Sequence, residues 1–312
     1  MENIFYEEYK TLLQKIEEYK TIIIAKHVMP DWDAQGSAEG LKRIIEDNFK
    51  NKNVYIVGSK IEDKPYKFKL SDEQIKKSIL LTVDVANQSR IDFDKKMNVK
   101  EIFKIDHHKF ESHDFGDNFL VDPTAIACTQ VITIFAMTMN LKISKEAAKF
   151  LYKGLLTDSG RFLFKNTNAQ TFEAAKVLVS TGIDVAEIAN EIYLTDLNLK
   201  KWLFKMSEKI VFNEKKYYAY LCVKKSDYYG IIDIEAAKSA LGIMSGINEI
   251  STWFLAYEKE DGIVKISFRS RNKDVSLIAK KYGGGGHTLA AACEVGTWDN
   301  FENELNNILK GI

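Results

Sequence analysis

Thiols are scarce: the three cysteines, Cys128, Cys222 and Cys293, stand far apart in 312 residues. That spacing excludes a CxxC zinc pattern and a disulfide framework, and reduced thiols fit a cytoplasmic setting. Net charge is missing too. The 44 basic and 44 acidic residues cancel, so no global field gathers long nucleic acid. A short anion can still be held by local positive charge, and Arg269, Arg271 and Lys273 form one such segment. Long apolar runs are absent as well. The most apolar stretch, Val131 to Leu141, is interrupted by Thr133, Thr138 and Asn140, and it falls short of the roughly 20 apolar residues a bilayer crossing needs. The first residues carry Glu2, Glu7 and Glu8 in an amphipathic run, unlike the positively charged start of a signal peptide. No membrane partner is expected.

What is present is ordinary globular composition, 46% hydrophobic and 28% charged, in a chain longer than a typical single domain. Two lobes are the expectation. Residues 4 to 19 have helical spacing, and the β-branched run Thr21 to Ala25 then leads to His27 and the break at Pro30. A helix is predicted to begin near Ser37, leaving His27, Asp31 and Asp33 on a strand-end loop. Strands follow at 54 to 57, 79 to 83 and 102 to 105, the last two running into Asp84 and Asp106. Helices are predicted over 124 to 139, 144 to 156 and 168 to 180. Strands alternating with helices imply a parallel sheet with helices on both faces and ligands outside the carboxyl ends of the strands. Residues 184 to 211 read as a helical connector without the composition of a flexible tether. Beyond it, strands at 217 to 223, 252 to 257 and 264 to 268 and helices at 235 to 241, 275 to 282 and 298 to 309 make a second, smaller α/β lobe. The divisions are 1 to 183, 184 to 211 and 212 to 312.

One imidazole and two carboxylates share the turn His27-Val28-Met29-Pro30-Asp31-Trp32-Asp33. Asp84 ends one strand, Asp106-His107-His108 ends another, and Asp158 sits where a helix gives way to Ser159-Gly160. A strand-end aspartate is often only a turn former or helix cap. Co-occurrence changes that reading, because three of only five histidines follow apolar strands beside aspartates, whereas His113 has no such setting. Hard oxygen donors mixed with imidazole, and no thiolate, suit Mn²⁺ or Mg²⁺, with zinc or cobalt as further occupants. So many donors exceed what one structural zinc requires. Two ions can instead clamp the attacking and leaving oxygens of a phosphoester.

These residues resemble the DHH phosphoesterases, a family named for the triplet that stands here as Asp106-His107-His108. His27, Asp31 and Asp33 look like its first motif, Asp84 like the second, and Gly154 with Asp158 like the fourth. The resemblance implies His27 and Asp31 on one metal, Asp33, His107 and Asp158 on the other, and Asp84 bridging two divalent ions, Mn²⁺ first with Mg²⁺ or Co²⁺ as alternatives. It implies that Asp106 orients a ligand histidine, that His108 faces the phosphate or leaving oxygen, and that Arg90 corresponds to an arginine after the second motif. The first lobe is then the catalytic DHH domain. Ser267-Phe268-Arg269-Ser270-Arg271 and Gly283-Gly284-Gly285-Gly286-His287 are similar to the family's associated substrate domain, where glycine amides and arginine forks would hold phosphate. The run is not a P-loop, since no Lys-Ser or Lys-Thr follows. Two positions depart from the pattern: Cys293 stands where glycine is usual, and Ser159 where threonine often stands.

Within the family the chain is most similar to the bacterial nano-RNase and pAp phosphatase group. The implied substrates are short RNA or DNA oligonucleotides, pAp or dinucleotides, acted on by a cytoplasmic enzyme that could pair as a homodimer. The nearest rival uses the same site on cyclic di-AMP or its linear product pApA. A manganese pyrophosphatase would carry a lysine-centred signature in place of the glycine-histidine segment, and a RecJ-type exonuclease would be longer. From other classes, a noncatalytic nucleotide-binding module and a structural metal protein remain as rivals.

Overall fold

The computed structural model describes residues 4–61, 64–109 and 115–312, with the side chain of His287 outside that description, as is His113. The chain divides into two compact units, Met1–Leu194 and Thr195–Ile312.

The first unit contains α1 (Tyr6–Glu18), β1 (Thr21–Ala25), α2 (Trp32–Asn48), β2 (Asn53–Ile56), α3 (Asp72–Lys76), β3 (Ile79–Val83), β4 (Glu101–Asp106), β5 (Asn118–Val121), α4 (Cys128–Thr138), α5 (Lys145–Asp158), α6 (Ala169–Ser180) and α7 (Val185–Tyr193). Its five strands lie in the order β2-β1-β3-β4-β5, all parallel. Ile22, Ile24, Leu81, Phe103 and Ile105 face a large core shared with residues of α1, α2, α4, α5 and α6. Ile23, Ala25, Leu80 and Ile102 face a smaller one with Ile75 of α3, Ile91 and Phe93. The inner strands are buried on both faces, which is why they read as continuous apolar runs. The chain crosses to β2 on one side of β1 and returns to β3 on the other. This reversal opens a crevice at the carboxyl ends of β1, β3 and β4, where a doubly wound sheet binds ligands.

α2 starts at Trp32, not near Ser37. Asp31 caps it, its Oδ1 accepting the N–H groups of Asp33 and Ala34 at 3.0 Å each. Asp33 therefore stands in the first helical turn, not in the predicted loop. α2 packs closely on α5 because glycines face the contact: a Cβ at Gly40 would stand 2.5 Å from Leu151, and one at Gly154 would stand 2.9 Å from Asp33 Cα.

The second unit contains α8 (Leu197–Ser207), β6 (Val211–Asn213), β7 (Tyr218–Val223), α9 (Lys225–Tyr228), α10 (Ile234–Lys238), β8 (Thr252–Glu258), β9 (Val264–Ser270), α11 (Ser276–Lys281), β10 (Gly285–His287), β11 (Ala290–Glu294) and α12 (Trp298–Gly311). The stretch 184 to 211 thus gives α7 to the first unit and α8 to the second. The sheet order is β10-β11-β9-β8-β7-β6, with β7 and β8 parallel and the other pairs antiparallel. One face packs on α11 and α12 through Phe254, Ile266, Phe268 and Phe301. The other packs on α8 and α10 through Leu221, Trp253 and Leu255. On that second face, Lys265, Ser267 and Arg269 of β9 and Ala290 and Ala292 of β11 stay partly exposed.

Candidate metal centre

Each strand end delivers its side chains by a local device. After β1, His27 forms an isolated bridge with Ile91, and its Nδ1 lies 2.9 Å from the Val28 carbonyl, which leaves Nε2 free to point at the carboxylates. After β3, Asp84 has φ 55°, a left-handed backbone usually left to glycine that costs another residue about 1–3 kcal/mol and turns the carboxylate into the crevice. After β4, Asp106 Oδ1 accepts the N–H of His107 at 2.7 Å, the N–H of His108 at 3.2 Å and lies 2.8 Å from His108 Nδ1. Asp106 thus orients the His108 ring, while it holds His107 only through the backbone. Asp33 reaches across from α2 to the start of α4, where its oxygens accept Cys128 N at 2.6 Å, Thr129 N at 2.9 Å and Thr129 Oγ1 at 2.7 Å. A carboxylate on a helix N-terminus is favourably placed. Asp158 is the last residue of α5.

The predicted ligands come together. His27 Nε2 lies 3.8 Å from Asp31 Oδ2 and 3.6 Å from Asp84 Oδ2. His107 Nε2 lies 3.8 Å from Asp33 Oδ2, 3.4 Å from Asp84 Oδ1 and 3.6 Å from Asp158 Oδ2. Asp84 turns one oxygen to each histidine. His27, Asp31 and Asp84 form one group and Asp33, His107 and Asp158 another, each with its donor atoms within 4.8 Å of one another. Among the described residues, the buried oxygens Asp84 Oδ1 and Asp106 Oδ2 have no hydrogen-bond partner. Separations of 3.4 to 3.8 Å are long for hydrogen bonds but match donors spaced around one cation with bonds of about 2.1 Å. The cluster therefore fits divalent metal. Cys128 is not a donor: its Sγ faces the Ile105 carbonyl at 3.4 Å, and burial and then Asp33 raise its pKa, keeping the thiol protonated.

Electrostatics agree. Burial alone disfavours charge on His27, but Asp31 and Asp84 outweigh it and push its pKa up to about 10. Burial likewise opposes charge on His107, and Asp84 and Asp33 overturn it, again to about 10. Burial raises Asp33 and Asp158, each reinforced by a neighbouring aspartate. Burial also opposes the charge on Asp84, yet His107 and His27 hold its carboxyl well below the ordinary range. At neutral pH protons thus occupy the metal-free cluster, and a cation must displace them. Binding of Mn²⁺ near pH 7 is expected to release protons, and affinity is expected to rise from pH 6 to pH 8 as proton competition weakens. Calorimetry in buffers of different ionisation enthalpy reads this directly. Metal uptake with no proton release would contradict it.

Arg90 also reaches the cluster, its Nη2 lying 3.4 Å from His27 Nδ1. In the second unit Arg269 projects from the partly exposed face of β9, donating Nη1–H to the Phe268 carbonyl at 2.8 Å, and burial lowers its pKa. Arg271 is exposed and donates to the Ile247 carbonyl at 2.6 Å, and Lys273 donates to the Ile312 carbonyl. The glycine run is not a uniform cradle. The amides of Gly283 and Gly284 already donate to the Lys280 and Ala279 carbonyls at 3.1 and 2.9 Å. Gly283 has φ 72°, and a Cβ at Gly286 would meet the Ala290 carbonyl at 2.5 Å, while one at Gly284 would collide with that of Ala292. Only Gly285 of the four lacks both a left-handed backbone and a close neighbour. His287 lies on β10, and its side chain is outside the described residues.

The DHH family N-terminal domain matches residues 21–155, and the DHHA1 domain matches residues 216–312. A relative from Streptococcus mutans is 33% identical, with 97% of this chain and 99% of that protein covered. The chain belongs to the DHH family. The bifunctional oligoribonuclease and PAP phosphatase NrnA of Bacillus subtilis is 31% identical, covering 95% of this chain and 96% of its own. An exopolyphosphatase-related protein from Bacteroides fragilis shares the fold, with TM-score 0.88 and 21% identity over 99% of this chain and 97% of that one. In this DHH chain the residues that motif reading overlooked are Thr129, which holds Asp33, and Gly36 and Gly40, which admit α5. The one sequence signal for the glycines is their spacing of four along α2, which puts them on one helix face.

Proposed function

We propose that the chain is a divalent-metal-dependent phosphoester hydrolase of the cytoplasm that acts on short oligonucleotides and on pAp. The observation that carries the chemistry is Asp84 presenting its two oxygens to two separate histidine–aspartate groups. His27 and Asp31 are assigned to one ion, Asp33, His107 and Asp158 to the other, and Asp84 to both. Manganese suits this set of imidazole and carboxylate donors. The substrate reading draws on the Bacillus subtilis relative, whose name states both activities and which aligns over nearly the whole chain.

When bound, two divalent ions supply a nucleophile at neutral pH and neutralise charge on the phosphoryl oxygens. The chain's own residues do the rest. Asp106 fixes His108 through Nδ1, leaving Nε2 to serve the phosphate or the leaving oxygen as a proton donor. Burial opposes charge on Asp106, but its bond to His108, with a smaller part from buried Lys104 at 3.4 Å from Oδ2, keeps it ionised. Arg90 brings a positive charge beside His27. Arg269, Arg271, Gly285 and His287 are the groups assigned to hold the rest of the nucleotide.

The test is turnover with Mn²⁺ of a panel comprising pAp, di- to pentanucleotides, pApA, cyclic di-AMP and pyrophosphate. Hydrolysis of pAp and the short oligonucleotides is expected. Exclusive turnover of cyclic di-AMP would favour the rival substrate, and no turnover of any member would overturn the reading. Arg269→Ala is expected to raise KM about tenfold or more, since a charged group holding phosphate is worth about 1.5–3 kcal/mol, and to leave Mn²⁺ affinity unchanged. Equal loss of Mn²⁺ affinity would contradict that role.

A further inference from the structure

The segment that leaves the metal centre behind Asp158 has features that the ligand assignment does not use. Gly160, Arg161 and Phe162 take φ 55°, 62° and 65°, so two non-glycine residues in succession hold a left-handed backbone. The turn is fastened by Phe162 N–H to Ser159 Oγ at 2.9 Å and by Arg161 N–H to the Leu156 carbonyl at 2.8 Å. It drives Phe162 inward, stacked on Phe172 at 5.5 Å and 6.2 Å from Tyr152. The same turn sends the next two side chains outward. Leu163 is 79% exposed and Phe164 is 60% exposed. A single exposed apolar residue needs no explanation. Here two are adjacent and strained backbone maintains them, which is the combination found at functional sites. The Phe164 ring also lies against the backbone of Gly160, where a Cβ would stand 2.5 Å from it. The Gly160 that the ring covers is two residues beyond Asp158 in the chain.

We infer that Phe164, backed by Leu163, is the stacking surface for a base of the nucleotide whose phosphoester lies at the Asp84 cluster. This rests on the phosphoesterase reading and adds how the substrate is positioned. An aromatic face accepts any base, because every base has a π-face, and it discriminates only against substrates that lack one. The choice of a ring in place of hydrogen-bonding side chains suits short oligonucleotides of mixed sequence.

The test compares wild type, Phe164→Ala and Phe164→Trp on pApA and on the same dinucleotide with an abasic residue. Stacking is typically worth about tenfold per base on alanine substitution. Phe164→Ala is therefore expected to raise KM for pApA about tenfold, with the abasic substrate changed by less than about twofold, and Phe164→Trp is expected to restore the wild-type KM. An equal rise on both substrates, or no rise on either, would overturn the inference. Equilibrium binding of AMP and of ribose 5-phosphate to the Mn²⁺-loaded proteins gives the same comparison without turnover. A loss confined to AMP supports the stack even if pApA is not hydrolysed, in which case the phosphoesterase reading alone fails. No AMP binding by the wild type, or equal loss for both ligands, overturns the stack.

Discussion

Asp84→Asn is expected to lower kcat/KM on the order of 10³-fold, the upper range for loss of one charge-stabilising group in a buried site. The carboxylate faces His27 with Oδ2 at 3.6 Å and His107 with Oδ1 at 3.4 Å. Asp84 belongs to the group of His27 and Asp31, and through Oδ1 it also faces His107 of the group formed with Asp33 and Asp158. The amide removes the charge both cations would share and offers only one oxygen. Folding should survive, because asparagine tolerates the left-handed backbone at φ 55° as well as aspartate does. Kinetics and Mn²⁺ stoichiometry on the same preparation check this. A variant that kept full Mn²⁺ binding and lost less than about tenfold would show that Asp84 is not a bridge.

Gly154→Ala is expected to be the most damaging change at a position that offers no ligand. In an exposed helix interior this exchange normally stabilises by about 1 kcal/mol. Here the new Cβ would stand 2.6 Å from Thr129 Cγ2, 2.8 Å from Thr129 Oγ1 and 2.9 Å from Asp33 Cα. Overpacking of about 1–3 kcal/mol exceeds the propensity gain. Thr129 Oγ1 also donates to Asp33 Oδ1 at 2.7 Å, so the shift reaches a proposed metal ligand, and a displacement of about 1 Å can cost about 10²-fold in rate. Thermal denaturation and kcat/KM should both fall. Gly242→Ala, which meets nothing within 4 Å, serves as the control and should change neither.

The site was legible in the sequence wherever a buried strand ends in an acid. A parallel strand with both faces covered must read as an apolar run, so Ile79–Val83 before Asp84 and Ile102–Ile105 before Asp106 pointed to the crevice once the neighbouring histidines outweighed the turn-former reading of each aspartate. Asp33 was harder. The polar start of α2 hides its period, and only the Asp31 cap shows that the helix begins at Trp32. Thr129 carried no local signal at all, because its contact with Asp33 spans 96 residues. The short strands β5, β6, β10 and β11 were missed for related reasons: β10 and β11 consist largely of glycine and alanine, weak strand formers that register against β9 stabilises. The same pairing explains glycines that the sequence suggested were all for phosphate, since Gly284 and Gly286 are needed where β11 passes.

The most direct measurement is a titration of the EDTA-stripped protein with Mn²⁺, following the initial rate of pAp and dinucleotide hydrolysis together with far-ultraviolet circular dichroism. The expected result is a folded but inactive metal-free protein whose activity appears as two equivalents bind. Undiminished hydrolysis after stripping, or unfolding on metal removal with activity tied to a single tightly held ion, would contradict a centre in which Asp84 joins two catalytic cations.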